Sequence, residues 1–351
     1  MIRVALIGYG YAGRTFHAPL VRATPGLELV AVSSSRTDRV SADLPGVDVV
    51  PSALDLLTPS SVDLIVIATP PDSHVPLAAA ALGAGKHVVV EKPIAPTLED
   101  ARGLASLAES VQRVLAVFQS RRWDGDFLAL ADLLARGALG DVTHVESHFD
   151  RYRPHVRDRW RERPGAGAGL WHDLGPHLVD QALQLFGLPD LVMGRLALQR
   201  AGSEVDDWAH MILEYGRLRV ILHASVLVAA PSPRFIVHGD RGSWIKYGID
   251  GQERQMIAAL TPGSRPAGDT EHAVHVDGAS GRVDQMPIPS GDYRQFYVRL
   301  RDALLGADSN PVPPEQAVAV MAVIETAIRS STEGRVCTLP LTALERRGFK
   351  N

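Results

Sequence analysis

Residue types that could do chemistry fall at three places along the chain. The first is Gly8-Tyr9-Gly10-Tyr11-Ala12-Gly13, directly behind the apolar run Ile2-Arg3-Val4-Ala5-Leu6-Ile7 and ahead of a helical pattern. This Gly-x-Gly-x-x-Gly spacing suits a dinucleotide: Gly8 permits the tight turn, Gly10 lets backbone approach a pyrophosphate, and Gly13 lets helix and strand pack closely. The helix N-terminus would offer N–H groups and a positive dipole end to the phosphates. Without a ligand, the same run is a glycine-rich strand-to-helix turn. The second place is Glu91-Lys92-Pro93, at the end of an apolar strand. A lysine there can stabilise a developing alkoxide or polarise a carbonyl beside a nicotinamide; taken alone, it also reads as a solvated surface residue. Pro93 is a candidate for a cis peptide. The third is Gly169-Leu170-Trp171-His172-Asp173-Leu174-Gly175-Pro176-His177-Leu178-Val179-Asp180-Gln181. Asp173 and His177 are four apart and share a helix face. A histidine there can exchange a hydroxyl proton near neutral pH, although a single histidine on a helix is more often structural. Gly175-Pro176 is a candidate start or bend of that helix.

Which dinucleotide is expected follows from the end of the second strand. An acid about 20 residues past the glycines would bind the ribose 2′-hydroxyl of NAD. The chain instead reads Ser33-Ser34-Ser35-Arg36. Serines can donate to a 2′-phosphate, and Arg36 can pair with it. NADP is therefore favoured, and Asp38 keeps NAD open. Thr69, Pro70 and His74 follow the fourth strand, where loops line the ligand crevice of a parallel sheet. They join Tyr9, Tyr11, Ala12, Glu91 and Lys92 as candidate cofactor contacts.

Two arginine-rich segments are candidates for substrate contact. Arg121-Arg122-Trp123-Asp124 follows the sixth strand, where it could face the cleft or form a structural ion-pair hinge. Arg151-Tyr152-Arg153-Pro154-His155-Val156-Arg157-Asp158-Arg159-Trp160-Arg161 could lie over a polyhydroxylated or anionic substrate, or be a solvated loop or subunit contact. Arg121, Trp123, Tyr152, Arg153, Trp160 and His172 are the substrate candidates. His17, His144, His148 and His210 show no metal-ligand spacing, so no metal site is expected. No Gly-x-Ser-x-Gly nucleophile motif is present.

The elements that must position these residues are legible as patterns. Over the first 120 residues or so, short apolar strands (27–33, 47–50, 62–68, 86–90, 114–118) alternate with helical segments such as 75–82 and 98–110. Such strands are buried on both faces, the doubly wound parallel pattern. Beyond residue 118 come a helix over 127–136, an alternating strand over 141–150, and a helix reaching about residue 186. Alternating strands follow at 207–215, 218–227, 235–238 and 244–247, with tight turns that predict an antiparallel sheet. Residues 251–290 read as a polar excursion on that sheet, and helices near 292–305 and 314–331 come last. The expected division is a Rossmann dinucleotide-binding domain over 1–120 and a substrate-binding and oligomerisation domain over 121–351, whose C-terminal helices could pack back on the first domain, an α/β architecture overall.

Composition narrows the function class. The chain has 351 residues, 46% hydrophobic and 22% charged, with a net charge of -4. That balance gives no reason to expect nucleic acid or an anionic membrane surface as partner. Cys337 is the one cysteine, so no internal disulfide forms, consistent with a cytoplasmic setting. The N-terminus reads as a strand rather than a signal peptide, and no apolar run approaches the roughly 20 residues of a membrane span.

Taken together, the motifs resemble the Gfo/Idh/MocA oxidoreductases. Gly8 to Gly13 with Phe16-His17-Ala18-Pro19-Leu20, then Gly85-Lys86-His87-Val88-Val89-Val90-Glu91-Lys92-Pro93, and Asp173 with His177 carry the likeness over essentially the whole chain. Within that family the chain most resembles the NADP-dependent scyllo-inositol dehydrogenases. That likeness lies in Arg121 to Phe127, Asp150 to Pro154, Arg157 to Glu162 and Ile245 to Glu253. The resemblance implies a Rossmann domain followed by an α/β domain with a large, mainly antiparallel open sheet. It implies Lys92, Asp173 and His177 as the catalytic set, and homo-oligomers, dimers or tetramers, built through the second sheet. Two positions depart from those relatives: Gln119-Ser120 stands where they carry His-Asn, and His172 where they carry an aromatic residue.

The expected function is NADP(H)-dependent oxidation or reduction of a small cyclic polyol or sugar, first of all scyllo-inositol and its inosose. The alternatives are an aldose or dihydrodiol dehydrogenase of the same family and a non-catalytic dinucleotide sensor.

Overall fold

The computed structural model describes residues 1–58, 60–259, 262 and 272–349. It divides into two compact units. One comprises Met1–Trp123, Gly251–Pro266 and Asp292–Val318, the other Asp124–Asp250, Ala267–Gly291 and Ala319–Asn351.

The first unit is built on six strands: β1 (Ile2–Ile7), β2 (Leu27–Ser33), β3 (Asp48–Val50), β4 (Leu64–Ile67), β5 (His87–Val90) and β6 (Leu115–Val117). Their order is β3-β2-β1-β4-β5-β6, and every neighbouring pair is parallel. Val66, Ile67, Val89 and Val90 are fully buried, as strands covered on both faces must be. The strand order reverses between β1 and β4, which sets a crevice at the carboxyl ends of the strands. The glycine run follows β1, Ser33 ends β2, Thr69 follows β4 and Glu91 follows β5, so parallel pairing brings them to one edge. The helix over 11–22 widens to a π turn at Gly13–His17, where the Ala18 N–H bonds the Gly13 carbonyl. Helix Leu98–Ser110 is capped by Thr97, whose hydroxyl accepts from the Asp100 N–H at 3.1 Å. Helix Arg294–Leu304 packs in this unit through Phe296, whose ring meets Phe118 edge-on at 5.0 Å.

The second unit carries β7 (Val142–Asp150), β8 (Leu191–Ala197), β9 (Trp208–Tyr215), β10 (Leu218–Ser225), β11 (Pro233–Gly239), β12 (Gly242–Tyr247), β13 (His272–Asp277) and β14 (Val283–Pro287). They form one sheet in the order β14-β13-β12-β11-β7-β10-β9-β8. β7 and β10 pair in parallel; the other neighbours are antiparallel. Strands β7, β9 and β10 alternate buried and half-buried residues, so one face is core. Helix Leu170–Phe186 packs on β7, β9 and β10. It runs unbroken past Pro176 and ends at Gly187, whose φ of 76° continues no helix. The reading of Gly175-Pro176 as a start of the helix is therefore corrected, since both lie inside it. Gly175 instead permits close approach: a Cβ there would lie 2.8 Å from Ile324 Cδ1 and from the Trp171 ring.

One further reading is corrected, and one strand was missed. The polar stretch 251–290 contains helix Gln252–Ile257 and strands β13 and β14, which extend the sheet; residues 260, 261 and 263–271 of it lie outside the described residues. Strand β8 was not expected at all. Among the described residues, no helix is long and apolar enough to cross a membrane.

Candidate functional site

The glycine turn has the geometry that its spacing requires. Gly8 sits at φ 97°, and a Cβ there would lie 2.7 Å from the Ala68 carbonyl oxygen. A Cβ on Gly13 would overlap the Gly8 carbonyl oxygen. Gly10 differs: nothing lies within 4 Å of where its Cβ would be. Its lack of a side chain relieves no contact inside the protein and leaves room above the turn for a pyrophosphate, so the residues present fit a dinucleotide. The Gly8 N–H donates to the Ser33 carbonyl at 2.9 Å, which ties the turn to the end of β2. Just beyond, the exposed Arg36 has its backbone N–H on the Ser34 hydroxyl and no side-chain ion pair among the described residues. Its neighbours Arg14 and Arg39 are both drawn to Asp43, at 2.7 and 3.9 Å. The Tyr9 hydroxyl lies 3.4 Å from the same carboxylate.

Lys92 stands on a braced turn. The Lys92–Pro93 peptide is cis, and the Lys92 N–H donates to Glu91 Oε2 at 3.1 Å. Glu91 Oε1 lies 3.0 Å from His17 Nε2, and His17 Nδ1 lies 2.6 Å from the Tyr297 hydroxyl. Burial opposes charge on Glu91, but the His17 hydrogen bond and the positive charges of His17 and Lys92 outweigh it and hold the carboxyl below its ordinary range. Burial, then Glu91 itself, pushes the Tyr297 phenol well up.

In the second unit, Asp173 and His177 lie one turn apart on helix Leu170–Phe186. Asp206 fixes the start of that helix: its carboxylate accepts from the Trp171 N–H at 2.7 Å, and its carbonyl from the Leu170 N–H at 2.8 Å. Arg161 Nε lies 3.4 Å from one Asp173 oxygen and Arg151 Nη1 3.9 Å from the other. His177 is 9% exposed, with its ring against Phe149. His172 Nδ1 meets the Ala168 carbonyl at 3.1 Å, and burial lowers the ring's pKa. Tyr152 and Trp160 are exposed, and Arg161 lies over the Trp160 ring at 4.7 Å. Burial, then the charges of Arg151, Arg157 and Arg159, pushes Arg153 down to about 10. The arginine segment is thus a concentration of positive charge beside Asp173.

Three candidates, His74, Arg121 and Trp123, are engaged by other parts of the first unit. His74 is buried with both ring nitrogens on backbone carbonyls, Pro93 and Thr69, each at 2.9 Å; it ties the turn after β4 to the one after β5. Arg121 pairs with Glu253 at 2.6 Å, and the other Glu253 oxygen accepts from the Tyr11 hydroxyl at 2.8 Å. Trp123 is buried edge-on against Phe296 at 5.9 Å. Thr69 accepts from the Ser73 hydroxyl at 2.6 Å. The sequence reading missed Tyr297 and gave His17 and Glu253 no role. A histidine one helical turn beyond the glycine run was the available signal for His17. For Tyr297 there was none.

Comparisons with known proteins bear on the family and the fold. Residues 2–119 match the model of the oxidoreductase family with an NAD-binding Rossmann fold, and residues 127–245 match the GFO/IDH/MocA C-terminal domain. The chain is 52% identical over 339 residues to YdgJ of Escherichia coli K12, described as an uncharacterized oxidoreductase, covering 94% of this chain and 96% of that protein. It is 35% identical over 347 residues to the scyllo-inositol 2-dehydrogenase (NADP(+)) IolW of Bacillus subtilis 168, covering 96% of each. A crystal structure from Klebsiella pneumoniae superposes with a TM-score of 0.93 at 51% identity, covering 99% of this chain and 97% of that one. With both family models matched in order and relatives alike along nearly their whole length, the chain belongs to the Gfo/Idh/MocA family and is an NAD(P)-dependent oxidoreductase.

Proposed function

We propose that the chain is an NADP(H)-dependent dehydrogenase of a cyclic polyol or sugar, with scyllo-inositol and its inosose as the first candidates. The observation that carries this reading is Lys92, at the carboxyl edge of the parallel sheet, with its backbone N–H on the carboxylate that His17 holds. When bound, the nicotinamide supplies the two-electron acceptor for an oxidation or the donor for a reduction. Lys92 brings a positive charge to the substrate oxygen and favours the developing alkoxide. His177 exchanges the hydroxyl proton, and Asp173 orients the substrate or His177. Arg153, Tyr152, Trp160 and His172 are the proposed polyol contacts, beside the charge-rich segment that already engages Asp173.

The preference for NADP rests on the absence of a carboxylate in Ser33-Ser34-Ser35-Arg36 and on an Arg36 side chain with no ion pair among the described residues. The scyllo-inositol reading is supported by the likeness to IolW. We also infer a cytoplasmic homo-oligomer, dimer or tetramer, with residues 1–120 as the dinucleotide domain and 121–351 as the substrate and assembly domain, save for Gly251–Pro266 and Asp292–Val318, which cluster with the first.

The test is nicotinamide absorbance with scyllo-inositol, myo-inositol and glucose, each with NADP and with NAD. NADP-dependent turnover selective for scyllo-inositol is the expected result. Turnover on another polyol would reject the substrate and keep the reaction. No turnover on a wider polyol and sugar panel, with NADPH still bound, would reject the catalytic reading in favour of a dinucleotide sensor.

A further inference from the structure

The sheet of the second unit has two faces. Val145, Ser147 and Phe149 of β7 point to the side of helix Leu170–Phe186: Phe149 meets the His177 ring, and Arg234 joins Ser147 to Gln181 of that helix. By strand alternation, His144, Glu146, His148 and Asp150 lie on the opposite face. Pairing sets His223 of β10 beside His148, and His210 of β9 beside His223. Linear spacing hides this cluster because its members come from three strands.

Three of these residues converge. One ligand atom each from His148, Asp150 and His223 lies within 4.8 Å of the other two. His148 Nδ1 is 3.5 Å from Asp150 Oδ2, and His223 Nε2 is 3.6 Å from Asp150 Oδ1. Donors about 2.0–2.1 Å from a tetrahedral ion stand roughly 3.4 Å apart; the two histidine–carboxylate separations, each to a different Asp150 oxygen, are close to that, and the three-atom set spans no more than 4.8 Å. The far side of each ring is already engaged. His148 Nε2 lies 2.8 Å from Glu146 Oε2; an Nε2–H donating there leaves the Nδ1 lone pair aimed at Asp150. His223 Nδ1 lies 3.2 Å from His210 Nδ1; an Nδ1–H donating there leaves the Nε2 lone pair aimed the same way. Metal-bound histidines are oriented by such partners. The Asp150 side chain is 6% exposed, and its Oδ1 is buried with no hydrogen-bond partner, while Oδ2 accepts from the Ser232 hydroxyl at 2.7 Å. A buried carboxylate oxygen left unsatisfied is costly, and a cation on Oδ1 removes that cost.

We propose that His148, Asp150 and His223 form a divalent transition-metal site on the sheet face away from His177. Zn2+ is the ion whose ligand preference and tetrahedral habit match two imidazoles and a carboxylate. The three protein donors leave a fourth position for water. The ion would join β7 to β10 across their parallel pairing.

The test uses the full chain stripped with a chelator, then titrated with Co2+ as a visible probe and challenged with Zn2+. The expected result is one Co2+ per chain, with ligand-field bands that Zn2+ abolishes. His148→Ala and His223→Ala should each lose the bands. His210→Phe should keep the ring and weaken binding by about 10- to 100-fold. Asp150→Asn, nearly isosteric, serves where a histidine variant fails to fold by circular dichroism. No stoichiometric Co2+ uptake would overturn the proposal and point to a proton on His148 between the rings and Asp150. Uptake at unchanged affinity in the folded variants would also overturn it, by locating the ion elsewhere.

Discussion

His17 Nε2 lies 3.0 Å from Glu91 Oε1, with the histidine fully buried. This contact fixes the carboxylate whose other oxygen holds the Lys92 backbone N–H. Glu91 has a folded-state pKa below its ordinary value of about 4.3. A depressed carboxyl pKa adds stability that is complete above the unfolded pKa and is lost as pH falls through the folded one. His17→Phe keeps a ring in the site but removes the donor, so the Glu91 pKa should rise. Urea unfolding at neutral pH should show a loss of roughly 1–3 kcal/mol, the usual cost of stranding a buried acceptor. Because the wild-type loses the Glu91 contribution as pH falls through its folded pKa while the variant has little of it to lose, the stability gap between the two proteins should narrow as pH is taken from 7 to below 4. A gap that stays constant over that range would reject the role given to His17.

Arg36 offers a second check. Its guanidinium has no ion pair among the described residues, whereas Arg14 and Arg39 are drawn to Asp43. If Arg36 meets a 2′-phosphate, Arg36→Ala should raise KM for NADP by about 10- to 100-fold, the size of a lost charge-assisted hydrogen bond. KM for NAD should barely change. An equal effect on both cofactors would assign Arg36 a general structural part and remove the main support for NADP.

Much of the first unit was legible because its chemistry is local. Ile65-Val66-Ile67 and Val88-Val89-Val90 are short β-branched runs in a chain that alternates strand and helix, and Gly8 and Gly13 mark a tight turn with close backbone packing while Gly10 leaves open space. What the sequence hid depends on partners distant along the chain. The run Arg121–Asp124 reads as a cleft segment or an ion-pair hinge, but the Arg121 partner, Glu253, lies 132 residues further on. The ring that Trp123 meets, Phe296, is likewise distant along the chain. Strands β13 and β14 escaped because half-exposed strands near a sheet edge carry polar residues such as His272, Asp284 and Gln285 that blunt the alternation. The histidines on β7, β9 and β10 were individually visible, but only strand register makes them neighbours.

The proposed catalytic roles predict a divided outcome for two substitutions. Lys92→Ala and His177→Ala should each lower kcat by about 100- to 10,000-fold, the range for removing a positioned proton-transfer or charge-stabilising group. Binding of NADPH, followed by its fluorescence, should fall far less for His177→Ala, because that residue sits on helix Leu170–Phe186 of the second unit. Turnover that survives both changes would defeat the assignment.

The glycines of the turn should respond in opposite ways, which separates fold from ligand. A methyl group on Gly13 would overlap the Gly8 carbonyl oxygen, so backbone must move. Gly13→Ala should therefore destabilise the protein by about 1–3 kcal/mol and weaken dinucleotide binding as a consequence. A methyl group on Gly10 meets nothing within 4 Å. Gly10→Ala should unfold at the wild-type temperature and still bind NADPH poorly, because the new Cβ enters the space through which a pyrophosphate approaches the backbone. Thermal unfolding paired with NADPH titration reads both quantities on the same samples. Wild-type affinity in Gly10→Ala would mean that the phosphates lie elsewhere and that the open space above Gly10 has no part in holding them.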